Sequence, residues 1–184
     1  MEDWKAKQAA RESVAAALRA ANPHLIGCDK VDSLIAASKN IRTELKRAFP
    51  KTVFSVKTRR FSGGDAIDVR WTDGPTDDVV GAIVGRYSAG SFDGMDDSYT
   101  YSNTAWCRAF GDAKYVHTTR HNSENALESA ARTAVATGRM EPGTAWAKWG
   151  DAGFELVHEI AQRRTWAVAK VIPADMEPEV EVAA

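Results

Sequence analysis

Few residue types in this chain could do chemistry, and their spacing narrows them further. His117 and His121 stand four apart, with Cys107 upstream. On a strand, positions i and i+4 share a side, so the pair has the beginnings of a zinc site. No fourth ligand is evident, and neither Cys28 nor Cys107 belongs to a Cys-x-x-Cys pair, so the spacing predicts two surface histidines and no metal. Asp93-Gly94-Met95-Asp96-Asp97 has the composition of a calcium loop but lacks EF-hand spacing and a closing Glu. Ser62-Gly63-Gly64-Asp65 lacks the Lys-Ser/Thr pair and the following helix that a P-loop requires. Cys107 has no nucleophile–base motif around it to engage His117 or His158. A metal-dependent hydrolase or nuclease using the loop acids is the enzymatic alternative, and the missing paired-acid motif counts against it. The expectation is a non-enzymatic chain with no catalytic residue, no cofactor and no metal.

Charge is the stronger signal. The formal net charge is −1, which excludes a wholly basic nucleic-acid protein and a wholly acidic DNA mimic. The sum conceals two opposed blocks. Residues 39–60 hold Lys39, Arg42, Lys46, Arg47, Lys51, Lys57, Arg59 and Arg60 against Glu44 alone. Residues 65–97 hold Asp65, Asp68, Asp73, Asp77, Asp78, Asp93, Asp96 and Asp97 against Arg70 and Arg86. Arg42, Lys46, Arg47, Lys57, Arg59 and Arg60 are the candidate binding residues, because clustered cations can follow a phosphate backbone. Arg42 and Lys46 share a helix face with Lys39, and Lys57 and Arg59 share a strand face. Asp68, across the hairpin, can neutralise part of that face. The second candidate surface is a partner loop of Phe92, Asp93, Met95, Asp96 and Asp97. Whether the helix and strand cations meet depends on helix orientation, which the sequence leaves open.

The elements that must position these residues follow from periodicity. Alanine density predicts a helix over 3–21, with a thin apolar stripe of Trp4, Val14 and Leu18 that suits an arm lying on the domain or on another chain. Asn22-Pro23 ends it. A second helix is predicted from about Lys30 to Phe49, with Leu34, Ile35, Ile41, Leu45 and Phe49 inward and Pro50 as its stop. Period-two alternation predicts strands over Thr52–Arg60 and Ala66–Thr72, joined by a Ser62-Gly63-Gly64 hairpin loop. Phe54 and Val56 then face inward and Lys57 and Arg59 outward. Pro75 is placed to open a helix with Val80, Ile83, Val84 and Tyr87 inward. Residues 88–97 read as a long polar loop, followed by short strands at Ser98–Tyr101 and Lys114–Thr119 that suggest a further hairpin. Ser123 or Asn122 can cap a helix running to about Thr137, closed by Gly138, and Asp151 can cap another.

The expected class is α+β, a small antiparallel sheet with helices packed on it and helical additions at both ends. The expected division is a helical arm over 1–29, an α+β core over 30–122, a helical extension over 123–172 and a disordered acidic tail over 173–184. With two cysteines, an acidic start (Met1-Glu2-Asp3-Trp4) and no long apolar run, a cytoplasmic protein with no membrane partner is expected.

One resemblance adds to these readings. It is carried by Ile41-Arg42-Thr43-Glu44-Leu45-Lys46, Ala48-Phe49-Pro50, Phe54-Ser55-Val56, Ser62-Gly63-Gly64, the run Ile67 to Thr76 and Phe92-Asp93-Gly94-Met95-Asp96-Asp97. The stretch Ala36–Asp97 resembles a large polyvalent protein-associated domain, the twenty-ninth of its series. Such domains occur in very large proteins of phages and conjugative elements. The resemblance implies a mobile-element context and counter-defence of an anti-restriction or anti-CRISPR kind, with no catalytic residues to transfer. Joined to the charge pattern, it predicts a binding protein whose partner is nucleic acid or a host defence complex that handles nucleic acid. A protein–protein adaptor of a conjugation or phage system is the alternative, with the Ala-rich first helix and the acidic 93–97 loop as contact surfaces; the N-terminal helix also offers a route to a homo-oligomer.

Overall fold

The computed structural model describes residues 2–29, 31–95 and 97–166. The side chain of Trp4, Asp96 of the predicted partner loop and the expected tail at 173–184 lie outside the described residues. The class is α+β with helices at both ends.

Helix α1 (Glu2–Ala21) buries Ala15 completely and rests Leu18 against the main core, so it lies on the domain. Helix α2 (Ser33–Ala48) begins after Asp32, whose carboxylate accepts the Ile35 N–H at 3.3 Å. That cap sets the start three residues later than the apolar spacing suggests. Its buried stripe is Leu34, Ala37, Ile41 and Leu45. Ile35, expected inward, falls outside that stripe and is 43% exposed.

Strands β1 (Phe54–Phe61) and β2 (Gly64–Thr72) form the expected antiparallel hairpin, with Phe54 opposite Trp71, Val56 opposite Val69 and Lys57 opposite Asp68. Helix α3 (Asp77–Val84) is opened by Thr76 rather than by Pro75, and one turn of 3₁₀ helix carries it to Tyr87. Residues 88–97 are not a loop throughout. Strand β3 (Gly90–Asp93) pairs antiparallel with β4 (Ser98–Tyr101). Four residues with Phe92 as their one aromatic were too short a run for the alternation to register.

Helix α4 (Ala105–Phe110), capped by the Thr104 hydroxyl at 3.1 Å, had no forecast. After it, β5 (Tyr115–His121) does not make a hairpin with β4. It pairs parallel to β2, giving a mixed sheet of order β1-β2-β5. A parallel partner needs a crossover, and the α3, β3–β4 and α4 segments supply it. Lys114 pins the arrangement: its N–H donates to Asp65 Oδ1 and its Nζ to the Gly63 carbonyl, both at 2.7 Å. Its stem crosses Gly64, which has φ +140° and leaves a Cβ only 2.6 Å from Lys114 Cδ. The glycine loop is thus filled by the protein's own lysine.

Helices α2, α3 and α4 cover one sheet face through Ile67, Val69, Trp71, Val80 and Phe110, all buried. Helices α5 (Glu124–Ala136) and α6 (Phe154–Arg163) form a second cluster around Ala130, Ala134 and Val157. Ser123 caps α5 as expected, whereas Asp151 does not cap α6. Its carboxylate accepts the Lys148 N–H at 2.8 Å and closes the turn before the helix. Among the described residues no helix is long and apolar enough to cross a membrane.

Candidate nucleic-acid interface

Three contacts fix how α2 lies against the edge strand β1. At one end Arg60 donates to Asp32 at 2.5 Å. In the middle the Arg42 guanidinium donates to the Val56 carbonyl. At the other end the rings of Phe49 and Phe54 lie 6.0 Å apart. Residue numbers fall along β1 as they rise along α2, so the two elements are antiparallel.

That orientation decides where the cations go. At about 100° per residue, Lys39, Arg42 and Lys46 fall on one stripe of α2. Arg42 reaches Val56, so the stripe follows the free edge of β1. Lys57 and Arg59 stand on the opposite face of that strand, the face turned away from the helices. The two groups therefore meet around the β1 edge. Glu44, the lone acid of the block, sits about 200° round the helix from Arg42. It accepts from Arg86 at 2.5 Å and from the Tyr87 hydroxyl at 2.6 Å. The block's one negative charge is spent on the α3 side and leaves the basic stripe undiluted.

Individual residues differ from their expected roles. Arg59 forks onto Asp68 through two hydrogen bonds, at 2.6 and 3.2 Å, which is the neutralisation foreseen across the hairpin. Arg60 lies on the helix side of β1, away from Arg59, and is held by Asp32. Its hydrogen bond, more than its charge, holds the Asp32 carboxyl below the usual carboxylate range. Arg47 is exposed but sits about 140° from Arg42, off the stripe. Lys39, which continues the stripe, is exposed.

The outward sheet face holds Phe61 and Tyr115, to which the sequence assigns no role, beside the two histidines expected at the surface. Phe61, 46% exposed, lies opposite Gly64, and Tyr115 lies opposite Ala66. The missing side chain at Gly64 lets the two rings stack at 6.2 Å and 22°. His117 continues the row at 6.0 Å and 8° from Tyr115. Tyr99 of β4 meets Tyr115 edge-on at 5.6 Å, and the Lys114 ammonium lies 5.0 Å from the Tyr99 ring. Arg70 and His121 are exposed on the same face. Alternation in β1 and β5 was the available signal. The parallel pairing that joins the two across β2 was not.

The predicted partner loop is the turn of the β3–β4 hairpin. Asp93 Oδ1 accepts the Met95 N–H at 2.9 Å, Asp97 takes a positive φ of 48°, and Met95 is 96% exposed with Phe92 at 53%. Among the described residues, no group of three or more His, Cys, Asp or Glu gathers as metal ligands would. Cys107 is buried behind Thr104, and burial pushes its thiol up, away from the thiolate a nucleophile needs.

Residues 33–123 match the model of the family described as large polyvalent protein associated domain 29, a span of about half the chain that begins with α2 and ends at the cap of α5. No curated protein and no solved structure matches the chain.

Proposed function

Because residues 33–123 belong to the large polyvalent protein associated domain 29 family, we propose that this chain is a non-enzymatic binding protein of a phage or conjugative element. It acts in the cytoplasm as a counter-defence factor by occupying nucleic acid, or a host complex that handles nucleic acid, through the basic edge of α2 and β1. The observation that carries this reading is the meeting of Lys39, Arg42 and Lys46 with Lys57 and Arg59 around one edge strand, with Glu44 turned away. A net positive charge along an extended ridge suits a polyanion whose charges repeat along a line.

The test follows from which cations are structurally committed. Arg42 is bonded to the β1 backbone and Arg59 to Asp68, so reversing either disturbs the fold as well as the surface. Lys39, Lys46 and Arg47 are exposed, and exposed substitutions typically shift stability by less than about 0.5 kcal/mol. Binding of a labelled oligonucleotide should weaken steeply with salt. For about four phosphate contacts, log K against log salt should have a slope of about −3 to −4. Lys39→Glu and Lys46→Glu together should flatten that slope and abolish binding at moderate salt with an unchanged melting temperature. Arg47→Glu, off the stripe, should matter least. Salt-insensitive capture of one protein, unaffected by these changes, would instead favour the adaptor reading through Phe92, Asp93, Met95 and Asp97.

A further inference from the structure

We propose that the open face of the β1-β2-β5 sheet is a stacking platform for single-stranded nucleic acid. Bases lie on Phe61, Tyr115 and His117, and phosphates lie against Lys57, Arg59 and Arg70. This deepens the proposed function and rests on its nucleic-acid reading. Three observations carry it. Among the described residues the helices cover only the opposite side of the sheet, and Phe61 keeps 46% of its surface in solvent. The open face's exposed non-polar groups are rings, and every nucleic-acid base has a π face that can lie on one. Its charge is net positive, with Lys57, Arg59 and Arg70 against Asp68, the carboxylate that Arg59 forks onto.

The ring spacing selects the strandedness. Phe61, Tyr115 and His117 form a row with near-parallel planes and steps of 6.2 and 6.0 Å. That exceeds the rise of about 3.4 Å between stacked bases of one strand in a duplex. Successive bases can use successive rings only if they are unstacked from each other, which a single strand allows and a duplex does not. The cations of β1 and β2 flank the row, where the backbone of such a strand would pass.

The experiment uses the whole chain and fluorescence anisotropy with three labelled probes of equal length: oligo-dT, oligo-U and a mixed-sequence duplex. Phe61→Ala and His117→Ala remove exposed rings, and Phe61→Leu keeps the apolar bulk at the hairpin end while removing the π face. Each ring loss should weaken binding of the single-stranded probes roughly 5- to 150-fold, the range expected for one base–aromatic stack. Phe61→Tyr should restore it, and duplex binding should not change. The dT and U arms decide whether the natural strand is DNA or RNA. Preference for the duplex, or ring variants that bind single strands within twofold of the parent, would overturn the platform. If the Lys39 and Lys46 reversals still abolish binding in that case, the basic-edge reading survives without it. Absence of binding to all three probes overturns the platform and the direct nucleic-acid reading together, and leaves the host complex as the target of the basic edge.

Discussion

Tyr87 shows how one residue type can look like a core filler in sequence and act as a polar clamp in the fold. It is fully buried, donates to Glu44 and packs edge-on against Trp106 at 5.9 Å. Arg86 completes the clamp by donating to Glu44 and covering the Trp106 ring at 4.2 Å. Tyr87→Phe should cost about 1.5–3 kcal/mol, the range for a hydrogen bond to a charged group, read from the urea midpoint. It should also change the alkaline limb of stability. Burial, reinforced by the neighbouring Glu44, pushes the Tyr87 phenol well above its ordinary value. The folded protein therefore keeps a proton that the unfolded chain releases above about pH 10. This contribution is fully present below that pH and is lost as pH rises beyond it. The Phe variant, lacking the group, should lose less of its stability between about pH 9 and 11. A parallel alkaline fall in both proteins would contradict the assignment.

At the scale of elements, the pairing of α2 with β1 is the decisive arrangement, and Asp32 is its hinge point. One carboxylate caps the helix and holds Arg60 at the end of the strand. Asp32→Ala should cost about 0.5–2 kcal/mol through loss of the cap. Asp32→Asn keeps a capping oxygen but loses the ion pair, so it should cost less. Comparison of the parent with the asparagine variant also reveals an acid-side effect. Arg60 holds the Asp32 carboxyl below its usual range, so its contribution is present above about pH 4 and fades as pH falls through the lowered value. The asparagine variant has no carboxyl to protonate, and its stability should be flatter over that window. Thermal melts between about pH 2.5 and 5 measure the difference.

Across the whole molecule, Arg120 joins parts that the family span separates. It is 6% exposed, and its guanidinium donates to the carbonyls of Asp73 and Gly74 on one side and of Ala161, Gln162 and Arg164 on the other. Burial disfavours its charge, and the nearby Asp73 partly offsets that. The α6 end is thereby part of how the sheet domain satisfies a buried cation. A chain ended after Ser123 should melt well below the full chain, because Arg120 loses three of its five acceptors. Arg120→Met should narrow that gap, since it removes the charge that truncation orphans. In the full chain the same substitution should destabilise, because buried carbonyls lose their donor at about 1–3 kcal/mol for each group left unpaired. Differential scanning calorimetry of the parent and the Met variant, each full-length and truncated, tests this.

Local chemistry made much of this legible in the sequence. Alternation in Phe54–Val56 and Ile67–Trp71 set the hairpin, Ser123 and Gly138 bounded α5, and the motifs from Ile41 to Asp97 gave the family. Each signal lies within a window of a few residues, where propensity and periodicity act. The parallel partnership of β2 and β5 could not be read that way, because its register depends on Asp65, Gly63 and Lys114 meeting from positions about fifty apart in the chain. Nor could the antiparallel lie of α2 on β1, which rests on Asp32 with Arg60 and Arg42 with Val56. Composition counted the cations of residues 39–60. Only tertiary contacts decided that Arg86 and Tyr87 engage Glu44, that Asp32 holds Arg60, and that Phe61, Tyr115 and His117 share one face, because sidedness depends on what each element packs against.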